Sequence, residues 1–203
     1  MLLKFIYLIL TLPIFLFSIL IFVCCKGIRA DYQEVRARIS KYKISTERAQ
    51  LISVLISGED HRYLYHYGID QLAIVRATYR LIRLHKIEGA STIEQQFVRT
   101  CIGRYEISIA RKLREIILSV LISLKNNKAD IANSYLQCAY FGHKTYGLED
   151  AKVRLERLLH KAPVHSAELI ALLKHPFPLR NNNLWLTKFT TRARWIRKKT
   201  ISF

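Results

Sequence analysis

Residues 89–124 read GASTIEQQFVRTCIGRYEISIARKLREIILSVLISL, and the two halves of this stretch decide the fold class. From Ile109 to Leu124, apolar residues recur at Leu113, Ile116, Ile117, Val120, Leu121 and Leu124, the spacing of one helical face. That stripe centres opposite Glu115, so Arg111 and Glu115, four residues apart, are expected together on a polar face. The first half opens on Gly89-Ala90-Ser91-Thr92, which suits a helix start near Thr92, and runs into adjacent amides at Gln95 and Gln96. Exposed N–H groups at such a start suit a phosphate. A Ser/Thr cap with solvated glutamines is the simpler reading.

Outward from this stretch the pattern stays helical. Ser45 with Glu47 opens a helix whose Leu51, Ile52 and Leu55 share a face and which ends near Ser57-Gly58. Asp70 is a reasonable N-cap for residues 71–85, and residues 128–139, 166–174 and 186–199 also read as helices. Glycine and proline are scarce, at seven and four, and no stretch after residue 30 alternates for long enough to suggest a sheet. The expectation is a mainly α domain.

The amino terminus obeys a different rule. Phe5 to Cys25 is a 21-residue run without a charge, bounded by Lys4 and Lys26. At ~1.5 Å per residue it reaches roughly 30 Å, the thickness of a bilayer's hydrocarbon core. A cleaved signal peptide has a shorter apolar region and a small-residue cleavage site, and neither is present. Residues 1–26 are therefore read as a transmembrane anchor, 27–44 as a basic juxtamembrane connector along the membrane surface, and 45–203 as the folded domain. From Lys26 onward 32 basic residues face 15 acidic ones. A domain of that charge beside a membrane expects an anionic partner. Disorder, collagen and multi-span transport are excluded by composition. Cys101 and Cys138 form neither a CxxC motif nor a disulfide framework, and read as two small core residues, with a bridge between them open in an oxidising compartment.

Beyond residues 89–96, the residues that carry chemistry cluster in two places. Glu59 and Asp60 follow a helix end in a loop with His61, Arg62, Tyr63, His66 and Asp70, where a carboxylate can serve as a general base or as a turn residue. His61 and His66 lack a fixed third ligand for a metal. Arg111-Lys112-Leu113-Arg114-Glu115 sets three cations around one acid, either a solvated face or a cradle for a diphosphate.

Taken in order, these segments resemble one family. EDHRYLYHYGID at 59–70, GASTIEQQFVRT at 89–100, RKLRE at 111–115, IANSYLQCAYFG at 131–142 and LIALLKHPFPLRNNN at 169–183 are similar to the five motifs of the peptidoglycan glycosyltransferases of family 51, in the short monofunctional biosynthetic form. The resemblance runs from about Ser45 to Ile196. It implies a lysozyme-like, two-lobed helical domain with a membrane-dipping jaw and one N-terminal transmembrane helix. It also implies a substrate, lipid II, which is a disaccharide-peptide on an undecaprenyl diphosphate.

By motif, Glu59 would take the proton from the acceptor 4-hydroxyl as that oxygen attacks the donor anomeric carbon. Glu115 would sit near the diphosphate, assisting the leaving group or a divalent cation. Arg99, Arg111 and Arg114 would offset the leaving group's charge, and Ser91, Gln95 and Gln96 would position donor phosphate and sugar. No cofactor is obligatory in this reading; Mg or Mn near Glu115 stays open. The implied setting is the bacterial cytoplasmic membrane with the domain on its outer face, against the naive positive-inside reading of Lys26 and Arg29. Implied partners are lipid II, the growing glycan strand, the bilayer and other cell-wall synthesis proteins, with no nucleic acid.

The sequence also departs from the family. Glu94 stands where Thr is usual, placing a negative charge beside an anionic donor unless it points away or pairs with a cation. Gln137 replaces Asn, Leu158-Leu159-His160-Lys161 replaces an aromatic pair, Gly and Lys, and Leu64 and Tyr65 are atypical within the first motif. These departures motivate an alternative, a catalytically weakened, membrane-anchored scaffold that binds lipid II or glycan. A lytic hydrolase is the enzymatic rival, and a basic nucleic-acid binder rests on charge alone.

Overall fold

The computed structural model describes residues 2–42, 48–180 and 182–201. The helix start at Ser45 and Glu47 lies outside the described residues. The order is α1 (Leu2–Cys24), α2 (Lys26–Lys41), α3 (Ala49–Glu59), α4 (Gln71–Leu84), α5 (Ile93–Ile102), α6 (Ile109–Lys125) and α7 (Lys128–Cys138). A hairpin of β1 (Tyr140–Gly142) and β2 (Thr145–Tyr146) follows, then α8 (Leu148–Leu159), α9 (Ser166–Lys174) and α10 (Asn183–Ile201).

α1 is long and apolar enough to cross a membrane. It does not stand clear of the domain. Tyr7, Thr11 and Ser18 lie along one buried side, packed towards α6, while Leu2, Phe5, Leu16 and Val23 face outward. Tyr7 Oη donates to Asp70 at 2.7 Å, and Gln71 Nε2 donates to Thr11 Oγ1 at 2.9 Å. Asp70 also accepts from Arg62 at 2.9 Å and caps α4 through the Ala73 amide at 2.9 Å. One carboxylate thus joins α1, the 60–70 loop and α4.

Within the segment read as a surface connector, α2 is amphipathic and enters the core. Ile28, Tyr32, Val35 and Ile39, at four- and three-residue spacings, are buried against α5, α6 and α7, and its exposed residues include Arg36 and Lys41.

α5 and α7 form the centre with α6. Phe97, Leu118, Ile122 and Leu136 are fully buried, each such side chain contributing about 1.5–3 kcal/mol relative to exposure. The one-sided pattern expected for α6 gives way to fuller burial, because α1, α2 and α5 all pack on it. Residues 117–123 are buried throughout, Glu115 is buried on the side read as polar, and Leu113 and Leu124 stay exposed. The loop after α3 reaches α6 at Gly68, whose φ is +87° and whose missing Cβ would lie 2.3 Å from the Ser119 carbonyl oxygen. This close approach fixes the loop that follows Glu59.

α4 is built differently. It buries only Ala73 and turns Val75, Tyr79 and Ile82 to solvent, with Ile87 exposed beyond its end. The β1–β2 hairpin and α8 have no counterpart in the periodicity reading. The hairpin is only three residues against two, too short to leave an alternating pattern, and Phe177 extends it by exchanging backbone hydrogen bonds with Phe141 and His143.

Candidate active site

Two adjoining structures make up the site. The first is an open cleft of about 670 Å3 into which Glu59 projects from the end of α3. Ser91 and Gln96 line it from the α5 side, Arg76 from α4, and Arg192, Trp195 and Lys199 from α10. Arg192 Nη2 sits 3.0 Å from Glu59 Oε1 and 2.7 Å from the Gly58 carbonyl oxygen, and its guanidinium stacks 4.3 Å from the Trp195 ring centre. Gln96 is oriented by Tyr135, whose hydroxyl donates to its side-chain oxygen at 2.7 Å. Burial and then the nearby Glu59 charge raise the Tyr135 pKa, so its hydroxyl remains a donor. His61 also lines the cleft. Burial, followed by Arg62, Lys199 and Arg76, lowers its pKa and favours the neutral imidazole.

The second structure is a cage of cations around Glu115. Its side chain is fully buried, and Arg99 reaches it with two hydrogen bonds at 2.7 and 3.2 Å. Arg111 bonds the first oxygen, and Lys112 Nζ approaches the second at 3.4 Å. Burial alone would raise this carboxyl's pKa; the Arg99 hydrogen bonds and the charges of Arg99, Lys112 and Arg111 outweigh it and lower the value. Glu115 is therefore an ionised anchor at neutral pH. Lys112 Nζ also donates to Ser91 Oγ at 3.0 Å and to Gln95 Oε1 at 2.6 Å. Ser91 thus links the cage to the cleft. Burial first, with Arg99 and Arg111, lowers the Lys112 pKa against the opposing pull of Glu115. The cationic heads are partly exposed while the acid beneath them is not, so an anion arriving from solvent meets positive charge.

A divalent ion does not fit at Glu115. Both carboxylate oxygens already accept from cationic donors, and three positive charges surround the position such an ion would take.

The structure sorts the expected residues. Glu59, Ser91 and Gln96 meet at the cleft, and Gln95, Arg99 and Arg111 meet at the cage with Glu115. Arg114 goes elsewhere: it binds Asp31 and the Gly27 carbonyl, tying α6 to α2. Lys112, read only as one of three cations around Glu115 and given no role of its own by motif, takes the place in the cage expected of Arg114. It sits three residues before Glu115 on the same helix, so its place was readable in the RKLRE spacing. Arg192 is the residue that sequence reasoning passed over. No local signal marks it, because its partner is 133 positions away.

Two further expectations change. At the α5 start two of the amides that would meet a phosphate are already used within the fold, the Ile93 N–H donating to Asp60 Oδ2 at 3.1 Å and the Gln95 N–H to Thr92 Oγ1 at 3.3 Å. Glu94 turns into the core, away from a donor site, where it pairs with Lys128 and accepts from Ser123 at 3.3 Å. It is fully buried beside His66 and Asp60, themselves joined at 3.0 Å.

A family profile described as Transglycosylase matches residues 28–200. The chain belongs to the transglycosylase family. Among proteins similar to this transglycosylase, penicillin-binding protein 1A of Rickettsia typhi is 40% identical over 112 residues, 53% of this chain and 14% of that protein. Penicillin-binding protein 1F of Bacillus subtilis is 33% identical over 121 residues, 59% of this chain and 16% of that one. Penicillin-binding protein 1A of Pseudomonas aeruginosa is 31% identical over 153 residues, 74% of this chain and 18% of that one. The chain thus spans less than a fifth of the length of these relatives. The transglycosylase match begins within α2, in keeping with the burial of that helix in the domain core.

Proposed function

We propose that this transglycosylase polymerises lipid II into glycan strands. The observation that carries the reading is the joining of a cleft carboxylate, Glu59, to a cationic cage through the shared residue Ser91. In the reaction, the acceptor 4-hydroxyl oxygen attacks the donor anomeric carbon and Glu59 removes the hydroxyl proton. The bond from that carbon to the diphosphate oxygen breaks, and its electron pair leaves with undecaprenyl diphosphate. Lys112, Arg99 and Arg111 offset the charge that develops there.

Glu115 is ionised and cannot supply a proton to the leaving group; its work is to hold the cations in place. Arg192 positions Glu59. The donor's sugar and phosphate are met by Ser91 and Gln96 at the cleft, while Gln95 acts through Lys112. α1 anchors the protein in the cytoplasmic membrane with the domain on its outer face; to cross the bilayer its amino-terminal half must release the Tyr7–Asp70 and Gln71–Thr11 hydrogen bonds, and the anionic substrate and bilayer account for the basic charge.

The test is polymerisation of fluorescent lipid II by detergent-solubilised protein beside Glu59→Gln. Polymer from the parent and none from the variant is expected. Equal polymer from both would remove Glu59 from the mechanism, and none from the parent would overturn the reaction.

A further inference from the structure

A second cavity, of about 550 Å3, is lined by Lys144, Arg154, Arg157, His160, Asp150 and Phe177. Arg154 is fixed there by hydrogen bonds from Nη1 to the His143 carbonyl oxygen and, at 2.7 Å, to Thr145 Oγ1, with its guanidinium 4.5 Å from the Phe177 ring centre. Arg157 and His160 follow at successive three-residue steps along α8 and its C-cap, and Lys144 comes from the β1–β2 turn. Among the described residues, none of the three Lys and Arg side chains is ion-paired, although Asp150 lines the same cavity. Like charges at such spacing repel. The α8 carbonyl end accounts for Arg157 and His160, but not for Arg154 or Lys144. A concave group of unpaired cations with one guanidinium already immobilised suits an oxyanion.

The ligand follows by elimination and by distance. Resting on the lipid II reading, the substrate carries two anionic parts, a diphosphate and a peptide. The diphosphate belongs with Lys112, Arg99 and Arg111 on α5 and α6, whereas α8 packs on α7, α9 and β2. Lys174 lines the Glu59 cleft and Phe177 lines this cavity, so lining residues of the two sites are three positions apart in the chain, at most ~11 Å between their Cα atoms. A sugar seated in the cleft can extend its peptide that far. We infer that the cavity formed by Lys144, Arg154, Arg157 and His160 binds a carboxylate of the substrate's peptide and sets this chain's preference for charged over amidated peptide.

The experiment compares fluorescent lipid II with free peptide carboxylates against its amidated form. The full chain in detergent is tested as the parent and as Lys144→Gln with Arg157→Gln. Both side chains are exposed and neither belongs to the proposed catalytic machinery. The parent is expected to favour the free-carboxylate form by about tenfold in kcat/KM, through KM, the size of one charge-assisted hydrogen bond lost. The variant should use both forms equally and process the amidated form at the parental rate. Equal use by the parent, or an unchanged preference in the variant, overturns the assignment.

Binding of both forms to Glu59→Gln, with and without the two glutamine substitutions, separates this inference from the proposed reaction. A binding preference that disappears with those substitutions, while the parent with Glu59 intact makes no polymer, leaves the cavity assigned and the reaction refuted. If the substitutions instead weaken binding to phosphatidylglycerol vesicles without changing substrate preference, the cations serve the membrane and the peptide assignment falls.

Discussion

Arg192 Nη2 lies 3.0 Å from Glu59 Oε1, holding the cleft carboxylate from a helix 133 positions further along the chain. The same nitrogen binds the Gly58 carbonyl oxygen, so the end of α3 and its acid are fixed as one unit. Replacing Arg192 by Ala should lower kcat by about 100-fold, the scale of a displaced reacting group, with little change in KM. Arg192→Lys, which keeps the charge without the planar fork, should recover part of that loss. Steady-state polymerisation of lipid II checks both. A purely structural role would instead give parallel losses in unfolding free energy and rate.

Glu94 and Lys128 form a pair inside the domain, so replacing Glu94 by Thr should not raise activity. It should destabilise the protein by about 3 kcal/mol, because Lys128 loses its partner. Adding Lys128→Met should restore most of that stability. Urea unfolding of the three variants measures the effect. A gain in turnover by Glu94→Thr would show that the charge does reach the donor.

The lowered Lys112 pKa sets an alkaline limit. The ammonium loses its charge earlier than an ordinary lysine as pH rises, and with it the attraction for the diphosphate. The pH–rate profile should therefore fall on its alkaline side, and Lys112→Arg should move that limb to higher pH. Lys112→Met should lower kcat/KM by about 100-fold or more at neutral pH.

Glu115 has a folded-state pKa below its unfolded value, so its contribution to stability is present above the unfolded-chain pKa of ~4.3 and is lost as pH falls through the lower folded value. Urea unfolding below pH 5 should show this loss, and Glu115→Gln should flatten the same region of the curve. With its oxygens already bonded to three cations, polymerisation should also proceed at an unchanged rate in EDTA. A strict need for Mg or Mn would place a metal elsewhere in the site.

Tyr7→Phe removes one hydrogen bond from Asp70 and should loosen α1 from the domain at a cost of about 1 kcal/mol. Faster proteolysis between α1 and α2 in detergent would report it.

Much of this protein is determined by its sequence alone. The 21-residue apolar run, the caps at Asp70 and Thr92, the start of α5, the extents of α4, α6, α7 and α9, and the pairing of Arg111 with Glu115 all depend on neighbours within a few residues, and local spacing is what a helix reads. What tertiary structure decided is which way those helices face. α2 enters the core because α5, α6 and α7 offer it an apolar surface, Arg114 is drawn off to Asp31, and Glu94 is turned inward to Lys128. Arg192 reaches Glu59 only because α10 packs on α3 and α9. Such pairings join residues far apart in the chain, and no local periodicity encodes the partner of a charge that distant.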